Sequence, residues 1–175
     1  MIENGVCVTS IYSNTAWPTH SIDMVISGGQ TGADQAGWRA AKRCGIRTIG
    51  WMPKGFKTED GNRPDFAELY GATETVSPGY PERTRRNAQA ADITLWFGDP
   101  KSRGGIATLR DCRHHLIIWP GHNDFDWKYD HAADLLSETS RKFRTLNIAG
   151  NRETTSPGIG QWVEAYLVDV FRSMK

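Results

Sequence analysis

Two short glycine-rich segments carry the residue types that proteins use to hold small anions. The first, residues 28–32, reads Gly-Gly-Gln-Thr-Gly, and the second is the pair Gly104 and Gly105. Each stands between an apolar run typical of a buried strand and a pattern typical of a helix. Glycines keep side chains out of such a loop, and the first turn of a helix offers unpaired backbone N–H groups. Each segment therefore predicts a cradle for a phosphate or another oxyanion.

The first segment also has a simpler interpretation, in which its glycines only form a compact turn. Thr31 can cap the following helix, and Asp34, three residues later, would complete a capping box. The spacing matches neither the dinucleotide-binding fingerprint nor a P-loop with its lysine and Ser/Thr. The second copy of the arrangement favours the anion site, and we therefore include Gln30 among the expected ligand residues.

Three further segments place polar side chains in loops or on helix faces. The long loop after the second predicted strand contains Lys54, which either reaches a ligand or lies in solvent. A helix expected to begin at Pro81 carries three polar residues on one face, and the alternative here is a solvated basic face. The loop after the last predicted strand is also polar. The candidates from these last two segments are Arg83, Thr84, Asn87, Asn151, Arg152 and Glu153.

The elements that position these residues alternate between strand and helix. The predicted strands are residues 24–26, 47–51, 72–76, 92–97, 116–119 and 145–149. Alternation predicts a single α/β domain with a Rossmann-like, doubly wound parallel sheet of five to six strands flanked by helices. In the commonest order of such a sheet the first and fourth strands are neighbours, so both glycine segments would face one crevice. We expect this domain to span residues 22–175, with residues 1–21 as an N-terminal extension.

The composition excludes several classes of function. The chain has 175 residues, enough for one domain with a core, and a formal net charge of +1. This balance gives no overall attraction to nucleic acid or to an anionic membrane. No apolar run is long enough to span a membrane and no signal peptide is evident, so we expect a cytoplasmic protein. The three cysteines and five histidines lack metal-ligand spacing, so we expect no metal site.

Taken together, the motifs resemble a known family. Along the chain they are Ile26-Ser-Gly-Gly-Gln-Thr-Gly-Ala-Asp34, Gly50-Trp-Met-Pro-Lys-Gly55, Glu59-Asp-Gly61, Arg83-Thr84 with Asn87, Gly104-Gly105 with Thr108, and Asn147-Ile-Ala-Gly-Asn-Arg-Glu153 with Ser156-Pro-Gly-Ile159. They are similar to those of the bacterial proteins called putative molybdenum carriers, which belong to the Rossmann-like SLOG superfamily of nucleotide-related ligand binders. The resemblance covers the chain from Ile22 to its C-terminus.

This resemblance implies a ligand class rather than one ligand. The expected ligand is a small phosphorylated molecule, either a nucleotide or the pterin-based molybdenum cofactor. Relatives commonly form homo-oligomers, so the resemblance also implies a dimer or tetramer. The ligand contacts that it implies are Gly28, Gly29, Thr31, Gly32, Asp34, Arg83, Asn87, Gly104, Gly105 and Thr108.

The same superfamily offers an enzymatic alternative. Residues 92–111 are similar to the strand and P-G-G-x-G-T-x-x-E signature of the phosphoribohydrolases that release cytokinin bases from nucleotides. Here Arg103 replaces the proline, Ala107 the third glycine and Asp111 the catalytic glutamate. In an enzyme of this kind, Asp111 with Arg83 would cleave an N-glycosidic bond. Otherwise Asp111 is an ordinary surface residue of a helix.

We therefore predict binding, carriage or sensing of a nucleotide-like phosphorylated ligand in preference to catalysis. A third possibility is an adaptor that senses a nucleotide and passes its state to a partner. The aromatic residues expected on such a surface, which are alternatively core residues, are Trp119, Phe125, Trp127 and Tyr129.

Overall fold

The computed structural model describes residues 22–118 and 143–174. The elements in these ranges are β1 (Met24–Ser27), α1 (Ala33–Arg43), β2 (Arg47–Met52), β3 (Lys57–Thr58), β4 (Gly61–Asn62), α2 (Phe66–Tyr70), β5 (Ala72–Glu74), α3 (Tyr80–Ala90), β6 (Ile93–Phe97), α4 (Arg103–Asp111), β7 (His115–Ile118), β8 (Thr145–Gly150) and α5 (Ile159–Ser173). The predicted N-terminal extension and the aromatic surface proposed for an adaptor lie outside the described residues.

Six of these strands form one sheet in the order β5-β2-β1-β8-β6-β7. Every neighbouring pair in this sheet is parallel. The predicted α/β, Rossmann-like single domain is confirmed, because parallel strands joined through helices on both faces define that class. A short antiparallel hairpin, β3–β4, forms a separate pair.

The strand order corrects one prediction. We expected β1 and β6, the strands that precede the two glycine segments, to be neighbours. Instead β8 lies between them and pairs with both, with Asn147 matched to Ile26 on one side and to Thr94 on the other. Alternation along the sequence fixes a parallel sheet but not the order of its strands, since long crossovers let a late strand insert at the centre. The loop after β8 therefore separates the two glycine segments.

Helices α1 and α5 cover one face of the sheet with a closely packed apolar core. A Cβ atom at Gly37 of α1 would lie 2.6 Å from the side chain of Ile148, so the helix backbone rests directly on β8. Phe97 of β6 meets the rings of Trp162 and Tyr166 of α5 edge-on, at centroid distances of 5.9 and 5.8 Å. Small residues in α1 permit this close approach, and the apolar stripe of α5 fills the remaining space.

Helices α3 and α4 cover the opposite face with small and polar residues. The buried residues of α3 are Asn87 and Ala88, and those of α4 are Gly105 and Thr108. None of these four side chains is large enough to fill the space between two helices and a sheet. A cavity consequently remains on this face.

Candidate functional site

A cavity of about 640 Å³ lies at the carboxyl ends of β1, β8 and β6, bordered by α3 and α4. Ligands bind at this edge of doubly wound sheets, because strand ends and helix N-termini converge there. The residues that line the cavity are Gln30, Asp34, Tyr80, Pro81, Arg83, Thr84, Trp96, Ser102, Arg103, Gly104, Ala107, Thr108, Ala149, Gly150, Asn151, Arg152, Thr154 and Thr155.

Half of the predicted ligand residues line this cavity and half do not. Those that the fold brings together there are Gln30, Asp34, Arg83, Thr84, Gly104, Thr108, Asn151 and Arg152. Those that are absent from its lining are Gly28, Gly29, Thr31, Gly32, Lys54, Asn87, Gly105 and Glu153.

A buried ion pair lies at the centre of the site. Nη1 of Arg83 is 2.9 Å from Oδ2 of Asp34, and the two side chains are 12% and 4% exposed. Burial raises the pKa of Asp34, while the charge of Arg83 and the N–H group of Gln30 act in the opposite direction. The pair joins the start of α1 to α3 and places a guanidinium at the cavity wall.

The glycines of the first segment make room for protein atoms. A Cβ at Gly28 would lie 1.5 Å from Nη1 of Arg83, so only glycine lets the guanidinium cross the loop. Gly32 has a φ of 76° and its missing Cβ would lie 2.5 Å from the carbonyl oxygen of Asn151. Helix α1 begins after Gly32 without a side-chain cap, so the predicted capping box of Thr31 and Asp34 is wrong. The positive φ of Gly32 replaces the extended backbone that a capping residue adopts.

The side-chain amide of Gln30 has a fixed orientation. Its Oε1 accepts the backbone N–H groups of Thr31 and Glu59, at 3.0 and 2.9 Å. The amide oxygen must therefore face these two donors, which turns Nε2 away from them. Gln30 is 3% exposed, and its Nε2 has no partner among the described residues.

Unpaired donors of this kind occur three times in the cavity lining. The buried atoms without a partner among the described residues are Nε2 of Gln30, Nε of Arg83 and Nε1 of Trp96. All three are N–H groups, and the described lining residues contain no unpaired buried side-chain acceptor. A buried donor without an acceptor destabilises a protein by about 1–3 kcal/mol. A ligand rich in oxygen atoms would supply the missing acceptors.

The second glycine segment divides between packing and the cavity. Ser102 caps α4 by accepting the N–H of Gly105 at 3.0 Å. A Cβ at Gly105 would lie 2.6 Å from the carbonyl oxygen of Pro100, so this glycine is required for packing. At Gly104, the nearest described atom to such a Cβ belongs to Trp96 and lies 3.6 Å away. Gly104 thus borders open space at the positive end of α4.

The cavity wall carries an excess of positive charge. Its charged lining residues are Arg83, Arg103, Arg152 and Asp34. The guanidinium carbons of Arg152 and Arg83 lie 4.8 and 5.6 Å from the centre of the Tyr80 ring. This aromatic ring at the start of α3 attracts both cations by cation–π contacts.

Two predicted ligand residues in the loop after β8 have structural partners. The carboxylate of Glu153 accepts the N–H groups of Gly158 and Gly160, at 2.5 and 3.0 Å, so Glu153 caps α5. The Ser156-Pro157 pair is typical of a helix start and predicts Ser156 as the cap, but its Oγ accepts from Nδ2 of Asn151 at 2.9 Å. These hydrogen bonds stabilise the conformation of the loop, and Asn151 also lines the cavity.

Two other candidates lie away from the cavity. The side chain of Asn87 is buried, and it accepts the N–H of Trp51 at 2.8 Å and donates to its carbonyl at 3.0 Å. Asn87 therefore ties α3 to β2. Lys54 is exposed on the loop after β2.

Of the two predicted catalytic residues, Arg83 lines the cavity and Asp111 does not. Asp111 ends α4 and lies 3.3 Å from Nη2 of Arg110. Its side chain is partly buried, at 18% exposed, and the catalytic role of Asp111 stays a prediction.

Sequence reasoning missed several lining residues, of which Trp96, Tyr80 and Ser102 matter most. Trp96 lies in a strand that reads as uniformly apolar, and only its unpaired N–H distinguishes it from a core residue. Ser102 does carry a signal, because serine directly before a helix is a preferred N-cap residue.

No helix in the described ranges combines the length and apolar character needed to cross a membrane. Residues 22–118 and 143–174 likewise contain no group of three or more His, Cys, Asp or Glu side chains that could hold a metal ion.

Comparison with known proteins agrees with this architecture. Residues 25–171 match the model of a family described as the circularly permutated YpsA SLOG family. The crystal structure of a putative molybdenum carrier protein from Syntrophus aciditrophicus SB is similar, with 31% sequence identity and a TM-score of 0.72. The match covers 86% of this chain and 95% of that one. No curated protein matches the chain.

Proposed function

The chain belongs to the circularly permuted YpsA family of SLOG proteins, and we propose that it binds a small phosphorylated ligand in the cavity between α3 and α4. The ligand class is a nucleotide or the pterin-based molybdenum cofactor, held for carriage or sensing. The similar Syntrophus protein is named a putative molybdenum carrier protein, and this name supports a ligand-carrying role.

The observation that carries this proposal is the set of unpaired buried donors on residues that line the cavity. Nε2 of Gln30, Nε of Arg83 and Nε1 of Trp96 all lack an acceptor among the described residues. The oxygens of an ionised phosphate and of a carbonyl group accept hydrogen bonds and donate none. They therefore complement residues whose buried N–H groups lack acceptors. The arginines and the start of α4 add attraction for negative charge.

The same residues fit either member of the ligand class. Both a nucleotide and the molybdenum cofactor carry phosphate oxygens, and guanine nucleotides and the pterin also carry a ring carbonyl oxygen. Any molybdenum would be cargo, carried on the pterin or as the molybdate anion.

Isothermal titration calorimetry tests the proposal directly. AMP, ADP-ribose, NAD, GTP, molybdate and the molybdenum cofactor would be titrated into the protein, and thermal shifts would provide an independent reading. At least one phosphorylated ligand should bind with one site per chain. Failure of every ligand to bind would contradict the proposal.

Gly104→Ala locates that binding in the cavity. The new methyl group meets Trp96 at an ordinary contact distance of 3.6 Å, so the fold should be retained while the space beside the start of α4 is reduced. We expect affinity to fall by about tenfold, equivalent to about 1.4 kcal/mol. Unchanged affinity in a folded variant would place the ligand elsewhere.

A matched pair of arginine variants separates local from general electrostatics. Arg152 lines the cavity, whereas Arg110 belongs to the same exposed ion pair as Asp111, outside the lining. Both Arg152→Met and Arg110→Met remove one positive charge from the protein. Arg152→Met should weaken binding, and Arg110→Met should leave it unchanged.

Asp111→Asn distinguishes binding from the hydrolase alternative. A binding protein should retain its affinity in this variant and should return the ligand intact after incubation. Release of free base by the wild-type protein, lost in Asp111→Asn, would instead support N-glycosidic cleavage.

The family resemblance also leads us to propose a cytoplasmic homo-oligomer that does not bind nucleic acid. Light scattering after size-exclusion chromatography would give the oligomeric state. An electrophoretic mobility assay would detect any binding to nucleic acid.

A further inference from the structure

The tip of the β3–β4 hairpin contacts both loops that border the cavity. The carboxylate of Glu59 accepts the hydroxyl group of Thr31, which follows β1. It also accepts the hydroxyl and the N–H of Thr154, at 2.7 and 3.5 Å, in the loop after β8. Nη1 of Arg152 lies 3.9 Å from the same carboxylate. One side chain therefore joins the hairpin to two separate loops.

The hairpin tip also fixes a donor in the cavity wall. The backbone N–H of Glu59 donates to Oε1 of Gln30 at 2.9 Å. This bond is one of the two that hold the amide oxygen of Gln30 and so orient its unpaired Nε2. If the tip moved away, Gln30 would lose one of the two bonds that set its orientation.

The ionised form of Glu59 suits this position. Burial acts to raise the pKa of Glu59, but hydrogen bonds from Thr31 and Thr154 hold it below its usual value. The carboxylate is therefore charged at neutral pH and can accept several donors at once.

From these contacts we propose that Glu59 is a positioning residue for the ligand site. Its carboxylate holds the hairpin across the two loops, and this places Gln30 and Arg152 for binding. The inference rests on the proposed function, because it assumes that the cavity with these two residues is the ligand site. Glu59 itself is absent from the cavity lining.

The neighbouring Asp60 provides a matched control. It lies on the same hairpin tip and carries the same charge, but it is exposed. Among the described hydrogen bonds, Asp60 contributes its backbone N–H, which donates to Oγ1 of Thr58 at 3.1 Å. Asp60→Ala therefore removes one carboxylate from the hairpin without touching either loop.

Hydrogen exchange without ligand is the first measurement. In Glu59→Ala we expect faster amide exchange in residues 57–62 and 151–155, because the bonds that hold these segments together are lost. Exchange in β1 and β8 should remain unchanged, which would show that the fold is intact. Asp60→Ala should match the wild type. Unchanged exchange in Glu59→Ala would overturn the proposal.

Binding of a simple probe is the second measurement. We expect Glu59→Ala to weaken the binding of inorganic phosphate by about tenfold, which corresponds to about 1.4 kcal/mol, and Asp60→Ala to leave it unchanged. Equal affinity in Glu59→Ala and the wild type would overturn the positioning role.

A double-mutant cycle with Gln30→Ala tests whether Glu59 acts through Gln30. The fold-loss of phosphate affinity in Gln30→Ala/Glu59→Ala should be smaller than the product of the fold-losses in the two single variants. Both changes remove the same oriented donor, Nε2 of Gln30. A fully multiplicative loss would contradict the proposal, since two independent structural effects would combine in that way.

The two proposals fail in different ways. If the wild-type protein binds neither phosphate nor the larger phosphorylated ligands, the proposed function is wrong, and with it the positioning of a ligand site. The hydrogen-exchange measurement needs no ligand, so it would still show whether Glu59 holds the hairpin against the loops after β1 and β8. If the wild type binds phosphate and Glu59→Ala binds it equally well, only the positioning role is wrong.

Discussion

The two faces of the sheet are covered in opposite ways, and two tryptophans show the difference. Trp38 of α1 is completely buried, stacks on Tyr70 at 4.9 Å and donates its N–H to the carbonyl of Ile49 at 2.9 Å. Trp96, on the face covered by α3 and α4, is 3% exposed and its N–H has no described partner. The indole of Trp38 has its acceptor within the protein, whereas the indole of Trp96, which lines the cavity, has none among the described residues.

This contrast separates stability from function within one small domain. The face under α1 and α5 contributes the large apolar contacts that hold the sheet together. The face under α3 and α4 is less closely packed and borders the cavity, whose lining includes arginines and residues with unpaired donors. Proteins commonly retain such unfavourable local arrangements at binding sites. Changes to the large apolar residues of the first face should therefore affect folding, and changes to the unpaired donors of the second should mainly affect binding.

The largest expected effect is that of Trp38→Ala. Removing a fully buried indole leaves a cavity among Phe66, Tyr70 and Met52, and it also leaves the carbonyl of Ile49 without its donor. The free energy of unfolding should fall by about 3–5 kcal/mol. Urea denaturation followed by circular dichroism measures it. A loss below about 1 kcal/mol would show that the contrast between the two faces is overstated.

Arg83→Met should have the next largest effect, because it leaves Asp34 buried without its counter-charge. Breaking a buried pair in this way destabilises a protein by about 3 kcal/mol near neutral pH. The pKa of Asp34 is already raised by burial, and losing Arg83 should raise it further. The native state then binds a proton more readily than the unfolded state, so stability should rise as the pH falls toward the ordinary value of 3.8.

Urea denaturation of Arg83→Met at pH 7 and pH 5 measures this dependence. The wild-type protein is the control, since Arg83 opposes the rise of the Asp34 pKa there. Part of the lost stability should return in the variant at pH 5. A variant that becomes still less stable on acidification would show that Asp34 is not the group responsible.

The smallest effect on folding is expected for Trp96→Phe. The substitution keeps an aromatic ring but removes an N–H group that has no described partner, so stability should change by less than about 0.5 kcal/mol. Ligand affinity should fall, because one donor of the cavity wall is lost. Calorimetric titration alongside urea denaturation gives both quantities. A large loss of stability with unchanged affinity would assign Trp96 to the core.

The fold was largely predictable because the local patterns of the chain agree with one another. Small residues recur at helical spacing in α1, a pattern that predicts a helix lying close to a sheet, and the contact of Gly37 with Ile148 confirms it. The last helix has an apolar stripe, which predicts a core-facing helix, and α5 packs in the core in this way. Capping was less predictable, since the backbone of Gly32 and the carboxylate of Glu153 replace the side chains expected at the starts of α1 and α5.

The sequence identified the segments that form the candidate site, but it did not identify the contacts that individual residues make there. Gln30 of the first glycine segment and Gly104 of the second line the cavity. At Gly28 and Gly32, however, Arg83 and Asn151 occupy the space that a side chain would need. Sequence patterns report that a residue must be small and cannot report what fills the space. The predicted ligand contacts at these glycines, and the predicted domain boundary at residue 22, remain predictions.

By itself, the sequence determined the class of the sheet, the helix faces that form the core and the loops that carry polar residues. These properties follow from periodicity and residue type, which act over a few neighbouring positions. Only the tertiary structure decided that β8 lies between β1 and β6, that Asp34 pairs with Arg83 and that Trp96 keeps a free donor. Each of these depends on contacts between residues far apart in the chain, where packing and burial select among arrangements that local patterns leave equivalent.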